Sequence, residues 1–407
     1  MPILAAAALP PVSTVTVRGG PTHDGITPVE LDLVAGTSDG TAAVLRRLDV
    51  NTGVKETWRW DGRAHDWTLL SSVPQPSTDL SQPGDAYGGT AGTMPVGQGQ
   101  VFVYSGGRTF IQTHGVTPDY RAEMFVLGDD DAWHAAPCNA KPSGCAPGKL
   151  DGGASATNGT DTLLFGGQSP VGSQALSNQL WRWNGSDWDP LVPAGTPPTP
   201  RAAAGFFFDG RDFIVFGGGT QVGQSAVELG DTWRLTEDDT GAWSWHQVCD
   251  ACGIPARFQV YAGALYRSAS AGGSEPGGLV VGGYQFAPTG FVQEELSDRW
   301  RWDGSGWVQI VPGGPACPQA VPGSTPACLT DPSIPFTPYV ASMPALGAAL
   351  WTAGSCNAVI APPPGQAARQ VCTRVTEQLT LDLRSTATTS TTVPASVAPT
   401  VTPTFTG

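Results

Sequence analysis

A tryptophan-rich motif recurs along the chain and constrains its fold more than any other feature. Three copies carry a Trp-Arg-Trp triplet, a tight turn and a further Trp, while a fourth copy has Leu in place of the second Trp. The copies are TWRWDGRAHDW (57–67), LWRWNGSDW (180–188), RWRWDGSGW (299–307) and TWRLTEDDTGAWSW (232–245). A motif that returns at wide intervals indicates an internal repeat, in which successive similar units bury a shared core.

A second recurring element, an apolar strand that ends in Gly-Gly, lies upstream of these motifs. Its clear copies are VFVYSGG (101–107), TLLFGG (162–167), FIVFGG (213–218) and LVVGG (279–283), and its weaker relatives are LDLVAG (31–36) and ALWTAG (349–354). The second glycines of the clear copies are separated by 60, 51 and 65 residues. The repeat unit is therefore predicted to contain roughly 50 to 65 residues.

Segments of very small residues precede the Gly-Gly strands. They are YGGTAG (87–92), GGASA (152–156), RAAAG (201–205), YAGA (261–264) and YVAS (339–342). Small side chains at one place in each repeat predict that backbones crowd together there, as the innermost strands of a propeller do around its axis. Each unit is thus predicted to form four strands: a small-residue inner strand, the Gly-Gly strand, the Trp-Arg-Trp strand and an outer strand.

The tryptophans are predicted to be core residues rather than a row of sugar-stacking rings. In Trp-Arg-Trp the two indoles are two residues apart, so they share one face of a strand while Arg182 points to the other. On that face they can fill the widening gap between neighbouring blades, with Trp188 packed nearby. Asn184-Gly185 and Asp303-Gly304 are predicted turns with positive φ between the third and outer strands.

These combined motifs resemble kelch-repeat β-propellers, in the superfamily of the galactose oxidase central domain. The resemblance implies an all-β fold of four-stranded antiparallel blades over residues 12–384, most simply six blades, with five or seven as alternatives. The last unit has its inner strand near Tyr339, its second strand near Leu350 and its third strand at residues 377–383. Because that unit lacks an outer strand, residues 12–17 (VSTVTV) are predicted to close the ring as the outer strand of the last blade.

Composition excludes several classes of partner. The 407 residues have a formal net charge of −14 and no Lys/Arg cluster, which argues against nucleic acid and anionic membranes as partners. No apolar run approaches the roughly 20 residues that span a bilayer. Residues 1–11 are predicted to be a signal-peptide remnant or disordered, and residues 385–407 a disordered Thr/Ser/Pro-rich tail. The propeller is predicted to be a monomer.

Eight cysteines favour disulfides and an extracellular or cell-surface location. They lie in four close pairs, Cys138 and Cys145, Cys249 and Cys252, Cys317 and Cys328, and Cys356 and Cys372. A metal site is the alternative, but a zinc ribbon needs two CxxC units and only Cys249/Cys252 has that spacing.

The galactose oxidase resemblance implies copper ligands from two His and two Tyr, with one Tyr directly before a His. None of the histidines in this chain follows a Tyr, so a copper site is not predicted; they are His23, His65, His114, His134 and His246. TEDDTGAW (236–243) resembles the Asp box of sialidases, in which Asp238 would be a turn carboxylate, whereas the sialidase arginines have no evident counterpart. GDDDAW (128–133) is either a calcium-binding turn or a set of solvated acids. No cofactor is otherwise predicted.

Three hypotheses for function follow. The first is a secreted or cell-surface, non-catalytic scaffold that recognises a protein or a glycan. The second is an extracellular oxidase or glycan-processing enzyme of the galactose oxidase or sialidase type, and the third is a structural spacer.

Binding is predicted on one face of the propeller. In an up-and-down blade the first-to-second and third-to-outer turns share one face, which we call the tight-turn face. The second-to-third and blade-to-blade connections share the other, the long-loop face, which is where a rigid scaffold usually carries function. The ligand-contacting candidates on that face are Arg108, Tyr120, Gln168, Tyr284, Gln285 and Phe286, with Arg201 and Arg257 lining the mouth of the central channel.

Overall fold

The structure is a computed structural model of the 407-residue chain. It describes residues 12–18, 30–49, 54–73, 90–104, 108–109, 119–120, 122–169, 175–222, 225–268, 275–286, 293–312, 317–318, 336–360 and 369–381. Within these ranges the chain forms six four-stranded antiparallel sheets and one 3-10 helix, Pro137–Ala140. The predicted six-bladed β-propeller is confirmed. No helix among the described residues is long and apolar enough to span a bilayer.

The six blades follow one another along the chain. From the innermost strand to the outermost, blade 1 contains Glu30–Gly36, Ala42–Asp49, Val54–Asp61 and Asp66–Val73, and blade 2 contains Thr90–Thr93, Val101–Tyr104, Met124–Leu127 and Trp133–Ala135. In the same order, blade 3 contains Ala154–Thr157, Thr162–Phe165, Leu180–Trp183 and Trp188–Leu191; blade 4 contains Gly205–Phe208, Phe213–Phe216, Thr232–Glu237 and Trp243–Cys249. Blade 5 contains Tyr261–Ala264, Gly278–Val281, Arg299–Trp302 and Trp307–Val311; blade 6 contains Phe336–Met343, Ala348–Ile360, Arg369–Leu381 and Val12–Arg18.

Blade 1 corrects one assignment made from the sequence. The segment LDLVAG, predicted to be a weak Gly-Gly strand, belongs to the inner strand of blade 1, and Ala42–Asp49 is the second strand. Both strands are apolar and buried toward their tight-turn ends, so their composition alone does not distinguish them. The inner position follows from its contacts with the inner strands of blades 2 and 6.

The inner strands crowd together around the axis, as the small residues predicted. Each contacts the inner strands of the two neighbouring blades, which completes the ring. A Cβ atom on Gly205 would lie 2.8 Å from the Ala262 Cβ, and one on Gly263 would lie 2.7 Å from a Val340 methyl group. Larger side chains there would push neighbouring blades apart.

The N-terminal strand closes the ring, as predicted. Val12–Arg18 pairs antiparallel with the third strand of blade 6, from Val12 opposite Leu381 to Arg18 opposite Val375. The blade therefore contains strands from both ends of the described chain, and the pairing covers the strand edge that blade 6 would otherwise expose.

The tryptophans fill the gaps between blades, which confirms their predicted role. Trp183 and Trp188 pack edge-on at 5.5 Å, and Trp302 and Trp307 pack at 5.4 Å. In blades 1, 3 and 5 the last Trp of the triplet also donates its indole N–H to a polar side chain of the preceding blade. These bonds are Trp60 to Gln378 (2.8 Å), Trp183 to Gln98 (2.9 Å) and Trp302 to Asp209 (2.9 Å).

The outer tryptophans make a second bond between blades. Trp133 donates its N–H to the Thr57 hydroxyl of blade 1 (2.9 Å), and Trp307 donates to the Thr232 hydroxyl of blade 4 (3.0 Å). In blade 2 the position of these threonines is occupied by Met124. The equivalent indole N–H, that of Trp188 in blade 3, is accordingly buried without a hydrogen-bond partner among the described residues.

Blade 6 replaces the outer Trp with a different contact. Ser13 occupies the position of the outer Trp, opposite Thr380. At the threonine position of blade 5, Arg299 forms an ion pair with Glu377 and lies 4.3 Å above the ring of Trp351. A cation–π contact and an ion pair thus join blades 5 and 6 where the other interfaces carry an outer indole.

Two of the predicted disulfides are present, Cys138–Cys145 and Cys249–Cys252. Cys356 and Cys372 are opposite each other in neighbouring strands of blade 6, so their backbones are in register for the predicted bond. Cys328 lies outside the described residues, and the Cys317–Cys328 bond stays a prediction. The first bridge braces residues 136–149, in which Asn139 bonds both the N–H and the C=O of Met124 and so extends the short outer strand of blade 2.

Removal of residues 1–18 should lower the melting temperature by more than about 5 °C, because it exposes the edge of blade 6 and opens the ring. Thermal unfolding followed by circular dichroism measures the change. A truncation after residue 384 is the control, since it leaves every described strand of the six blades intact. Equal melting temperatures for the N-terminal deletion and the full chain would contradict closure by this strand.

Candidate functional site

The long-loop face begins at the Gly-Gly turns that end the second strands. In blade 4, Gly217 and Gly218 both have positive φ (62° and 101°), and the pairs in blades 3 and 5 are similar. A Cβ on Gly217 would lie 2.8 Å from the carbonyl oxygen of Arg257. Glycine is required at this turn because the chain adopts a left-handed conformation against the backbone of the next blade.

Beside these turns lie two buried Arg–Asp pairs. Arg201 makes a two-pronged contact with Asp231 (2.6 and 2.8 Å) and donates to the Gly217 carbonyl (2.9 Å). Arg257 repeats the arrangement with Asp298 (2.6 and 2.9 Å) and Gly282 (2.8 Å). Paired, parallel N–H···O bonds are the strongest way for a protein to hold a buried guanidinium.

The same arginines connect neighbouring blades through their backbones. The second glycine of the preceding blade donates its N–H to the arginine carbonyl, from Gly167 to Arg201 (2.8 Å) and from Gly218 to Arg257 (2.9 Å). Each arginine therefore fixes the Gly-Gly turn of its own blade with its side chain and that of the preceding blade with its main chain.

This geometry corrects the predicted place of Arg201 and Arg257 at the channel mouth. Both side chains are 0% exposed, so a ligand cannot contact them in this structure. Their partners, Asp231 and Asp298, are not among the predicted site residues. Each lies two residues before a Trp and also accepts a hydrogen bond from the indole N–H of that Trp. In blade 3, Leu150 takes the position of the arginine and Gln179 that of the aspartate, so both members of the ion pair are replaced together by uncharged residues.

Three short backbone bridges occupy equivalent positions in blades 3, 4 and 5, at the long-loop ends of the inner strands that line the channel. Each joins the residue after the arginine position to the residue after Gly-Gly by two hydrogen bonds of 2.8–3.0 Å. The bridges are Asp151–Gln168 in blade 3, Ala202–Gly219 in blade 4 and Phe258–Tyr284 in blade 5. Two of the predicted candidates, Gln168 and Tyr284, thus occupy the same position in different blades.

The candidates in blades 3 and 5 differ in exposure. Gln168 is half-exposed, whereas Tyr284 is buried with its ring 5.8 Å from that of Phe258. The amide of Gln285 donates to the Ala256 carbonyl (2.6 Å) and holds the loop before blade 5. Phe258 and the exposed Gln259, which were not among the predicted contact residues, lie in that loop.

Extra strands enlarge the long-loop face over blades 2, 4 and 5. Arg108–Thr109 pairs with Asp119–Tyr120, Gly219–Val222 with Ser225–Glu228, and Tyr284–Phe286 with Gln293–Glu295, which also pairs with Cys317–Pro318. Arg108 is opposite Tyr120, so these two candidates are brought together in one hairpin. The side chains of Arg108, Tyr120 and Phe286 lie outside what the structure describes, and their contact with a ligand stays a prediction.

The tight-turn face is built largely from Asp and Asn side chains that accept backbone N–H groups of their own turns. Asp61, Asp238 and Asp303 each accept two such N–H groups. Asn158 and Asn184 do the same in blade 3. Asp238 is thus the turn carboxylate that its Asp-box-like sequence predicted.

Hydrogen bonding lowers the pKa of several of these carboxyls. For Asp303, burial alone would raise the pKa, but bonds from the Ser305 hydroxyl and from the N–H groups of Ser305 and Gly306 outweigh it and hold the pKa below its usual value. The pKa of Asp61 is lowered by the N–H groups of Ala64 and Arg63.

The acidic turn GDDDAW uses two of its carboxylates within the protein. Asp131 pairs with Arg59 of blade 1, and Asp130 contacts His134 at 3.0 Å. Among the described residues one cluster has metal-ligand spacing, namely Cys138, Cys145 and Asp187, but its two sulfurs form a disulfide and are not available as thiolates.

The described histidines lie away from the long-loop face. His65 sits in the third-to-outer turn of blade 1 with φ of 58°. His246 contacts Ser244 at 3.0 Å on the exposed outer strand of blade 4, and Ser244 in turn contacts the Thr236 hydroxyl. A nucleophile–base pair needs a third group that orients the base, whereas Thr236 contacts the serine rather than the imidazole.

Comparison with known proteins supports the fold. No protein-family model and no curated protein matches the sequence. Among solved structures, one described as "Structure of YjhT" is similar with a TM-score of 0.53 and 12% sequence identity, over 86% of this chain and 95% of that chain. At this identity the likeness shows the β-propeller fold alone.

Replacing Arg201 with Leu should destabilise the protein by about 3–5 kcal/mol, because it leaves the Asp231 carboxylate without its buried partner. The double variant Arg201→Leu/Asp231→Gln should recover most of the loss, since it reproduces the Leu150/Gln179 pair of blade 3. Arg211→Leu, at a side chain 56% exposed, is the control and should cost less than about 1 kcal/mol. Denaturant unfolding measures all three, and a double variant no more stable than Arg201→Leu would contradict the exchange as a unit.

Acid should weaken the tight-turn face. A carboxyl whose pKa is lower in the folded state contributes stability above its unfolded pKa of about 3.9, and that contribution is lost as the pH falls through the lower folded value. Asp303→Asn keeps the acceptor that Asn184 supplies in blade 3, so its melting temperature should stay close to wild type at pH 7. Below about pH 4 its melting temperature should fall less steeply than that of the wild type. Parallel slopes for the two proteins would show that Asp303 does not contribute.

Proposed function

We propose that this protein is a non-catalytic recognition scaffold of the kelch-like propeller type, which binds an extracellular protein or glycan through its long-loop face. The observation that carries the proposal is the difference between the two faces. One face consists mostly of short turns closed by their own Asp and Asn side chains. The other carries added hairpins over three blades, anchored on the Gly-Gly turns.

Rigidity of the support favours recognition by this face. The buried Arg201–Asp231 and Arg257–Asp298 pairs fix the points from which the long connections start. The backbone bridges hold the next residues of these connections beside the channel mouth. Loops held in this way bind with less loss of conformational entropy than free loops. Of the predicted contact residues, Arg108, Tyr120, Gln168, Gln285 and Phe286 remain candidates, together with Tyr284 as a support.

An extracellular location agrees with the cysteine usage and with the low content of charged residues. The disulfides Cys138–Cys145 and Cys249–Cys252 would be reduced in most cytosolic compartments. We propose that the propeller acts there as a monomer. The repeated motif and the blade architecture support the kelch-like assignment.

A steric block on either face tests the proposal. Gln221 in an added hairpin and Ser305 in a tight turn are both exposed, so each can be replaced by Cys and coupled to a polyethylene glycol chain. On arrays of extracellular proteins and glycans, the conjugate at residue 221 should lose the binding that the wild type shows. The conjugate at residue 305 should retain it. Loss of binding in the 305 conjugate alone would place the binding surface on the tight-turn face.

A further inference from the structure

Blade 4 carries the smallest side chains at the bridge that flanks the channel mouth. Its bridge consists of Ala202 and Gly219, whereas the equivalent bridges hold Asp151 and Gln168 in blade 3 and Phe258 and Tyr284 in blade 5. We call these six residues, together with Gln259, the Gly219 recess. One side of the recess is polar and the other is aromatic.

The space above Gly219 is open as far as the described residues define it. Of their atoms, a Cβ placed on Gly219 would have one within 4 Å, the Phe258 Cβ at 3.5 Å, which is an ordinary contact. A Cβ on the adjacent Gly218 would instead meet three atoms of Ala202 and Ala204 at 3.0–3.1 Å. Phe258 borders this space through its Cβ, is half-exposed, and has its ring 5.8 Å from that of Tyr284.

Gln259 is held in a conformation that favours glycine. Its φ is 48°, and the equivalent residues in blades 3 and 4 are Gly152 and Ala203, with φ of 65° and 54°. The left-handed turn therefore recurs in blades 3, 4 and 5, and of these three blades only blade 5 carries a long side chain there. Gln259 is exposed and follows Phe258 directly in the chain.

The chemistry of the recess favours a ligand that bears hydroxyl groups and no negative charge. Its residues include two amides and two aromatic rings, one carboxylate and no Lys or Arg. Amides both donate and accept hydrogen bonds, which matches the hydroxyl groups of a sugar. A braced aromatic ring supplies an apolar surface for the C–H face of the same sugar.

We propose that the Gly219 recess binds a sugar unit of an uncharged glycan, with Phe258 under the sugar ring and Gln259 and Gln168 on its hydroxyl groups. The proposal rests on the recognition function proposed above and assigns its ligand class. Because the contacts are uncharged, binding should depend little on salt.

The test fills the recess without disturbing the fold. Gly219→Gln adds the side chain that blade 3 carries at the same position, and its φ is not in the left-handed region. Gly306→Gln on the tight-turn face is the matched control, because a Cβ there would meet no atom of the described residues within 4 Å. Gln259→Gly is a second variant, which relieves the strained φ and should melt no lower than the wild type.

The probes are uncharged hexose and pentose polysaccharides, with heparin and polysialic acid as charged counterparts. The wild type should bind at least one uncharged polymer, with a dissociation constant that changes less than about twofold between roughly 0.05 and 0.5 M NaCl. Gly219→Gln and Gln259→Gly should each weaken this binding by about tenfold or more, as expected for loss of a central contact. Gly306→Gln should leave it unchanged.

Three results would overturn the assignment: no uncharged polymer binds at millimolar sugar, only the charged polymers bind, or Gly219→Gln binds as well as the wild type. Should glycans fail while the conjugate at residue 221 still blocks capture of an extracellular protein, the ligand class is wrong and the recognition function stands. Failure of both experiments would refute both proposals.

Discussion

The gap between neighbouring blades widens from the axis to the rim, and this taper determines which side chains each part of a blade can carry. Near the axis, Gly205 and Gly263 leave no room even for a methyl group. Toward the rim the same gap is filled by pairs of tryptophans that also bond to the preceding blade. Where blade 6 lacks the outer indole, Arg299 stacked on Trp351 occupies that interface. The gap between blades is thus filled in every repeat, although the residue type that fills it differs from one repeat to another.

The packing between blades also fixes the positions of the turns on the long-loop face. The Gly-Gly turns lie at the ends of the strands that the tryptophans hold, and Arg201 and Arg257 then connect each turn to the next blade. A buried arginine is tolerated because its carboxylate partner and two carbonyls together accept four hydrogen bonds from its guanidinium. The loops beyond can therefore vary in length and composition without altering the ring.

Features that recur in each repeat, and the strand missing from one of them, could be predicted from the sequence, whereas contacts between particular side chains of distant segments could not. Tryptophan spacing, Gly-Gly and Asn-Gly turns and small inner residues depend on local geometry, and they identified the blades and the closing strand. The burial of Arg201 depends on Asp231, which lies 30 residues away in a different connection. Phe258 and Gln259 stand out only when the fold aligns them with Ala202 and Ala203. The strands of blade 1 were predicted wrongly because its inner and second strands have similar composition.

Closure by the N-terminal strand also sets how the propeller would face its surroundings if it were tethered. Val12 is opposite Leu381, and Leu381 donates its N–H to Gly347 in a turn of the tight-turn face. Both ends of the described chain therefore leave the ring on the same side. A tether attached through the Thr-rich segment that follows would therefore join the ring on its acidic, turn-lined side. The hairpins over blades 2, 4 and 5 would then be presented outward, where approaching molecules meet them first.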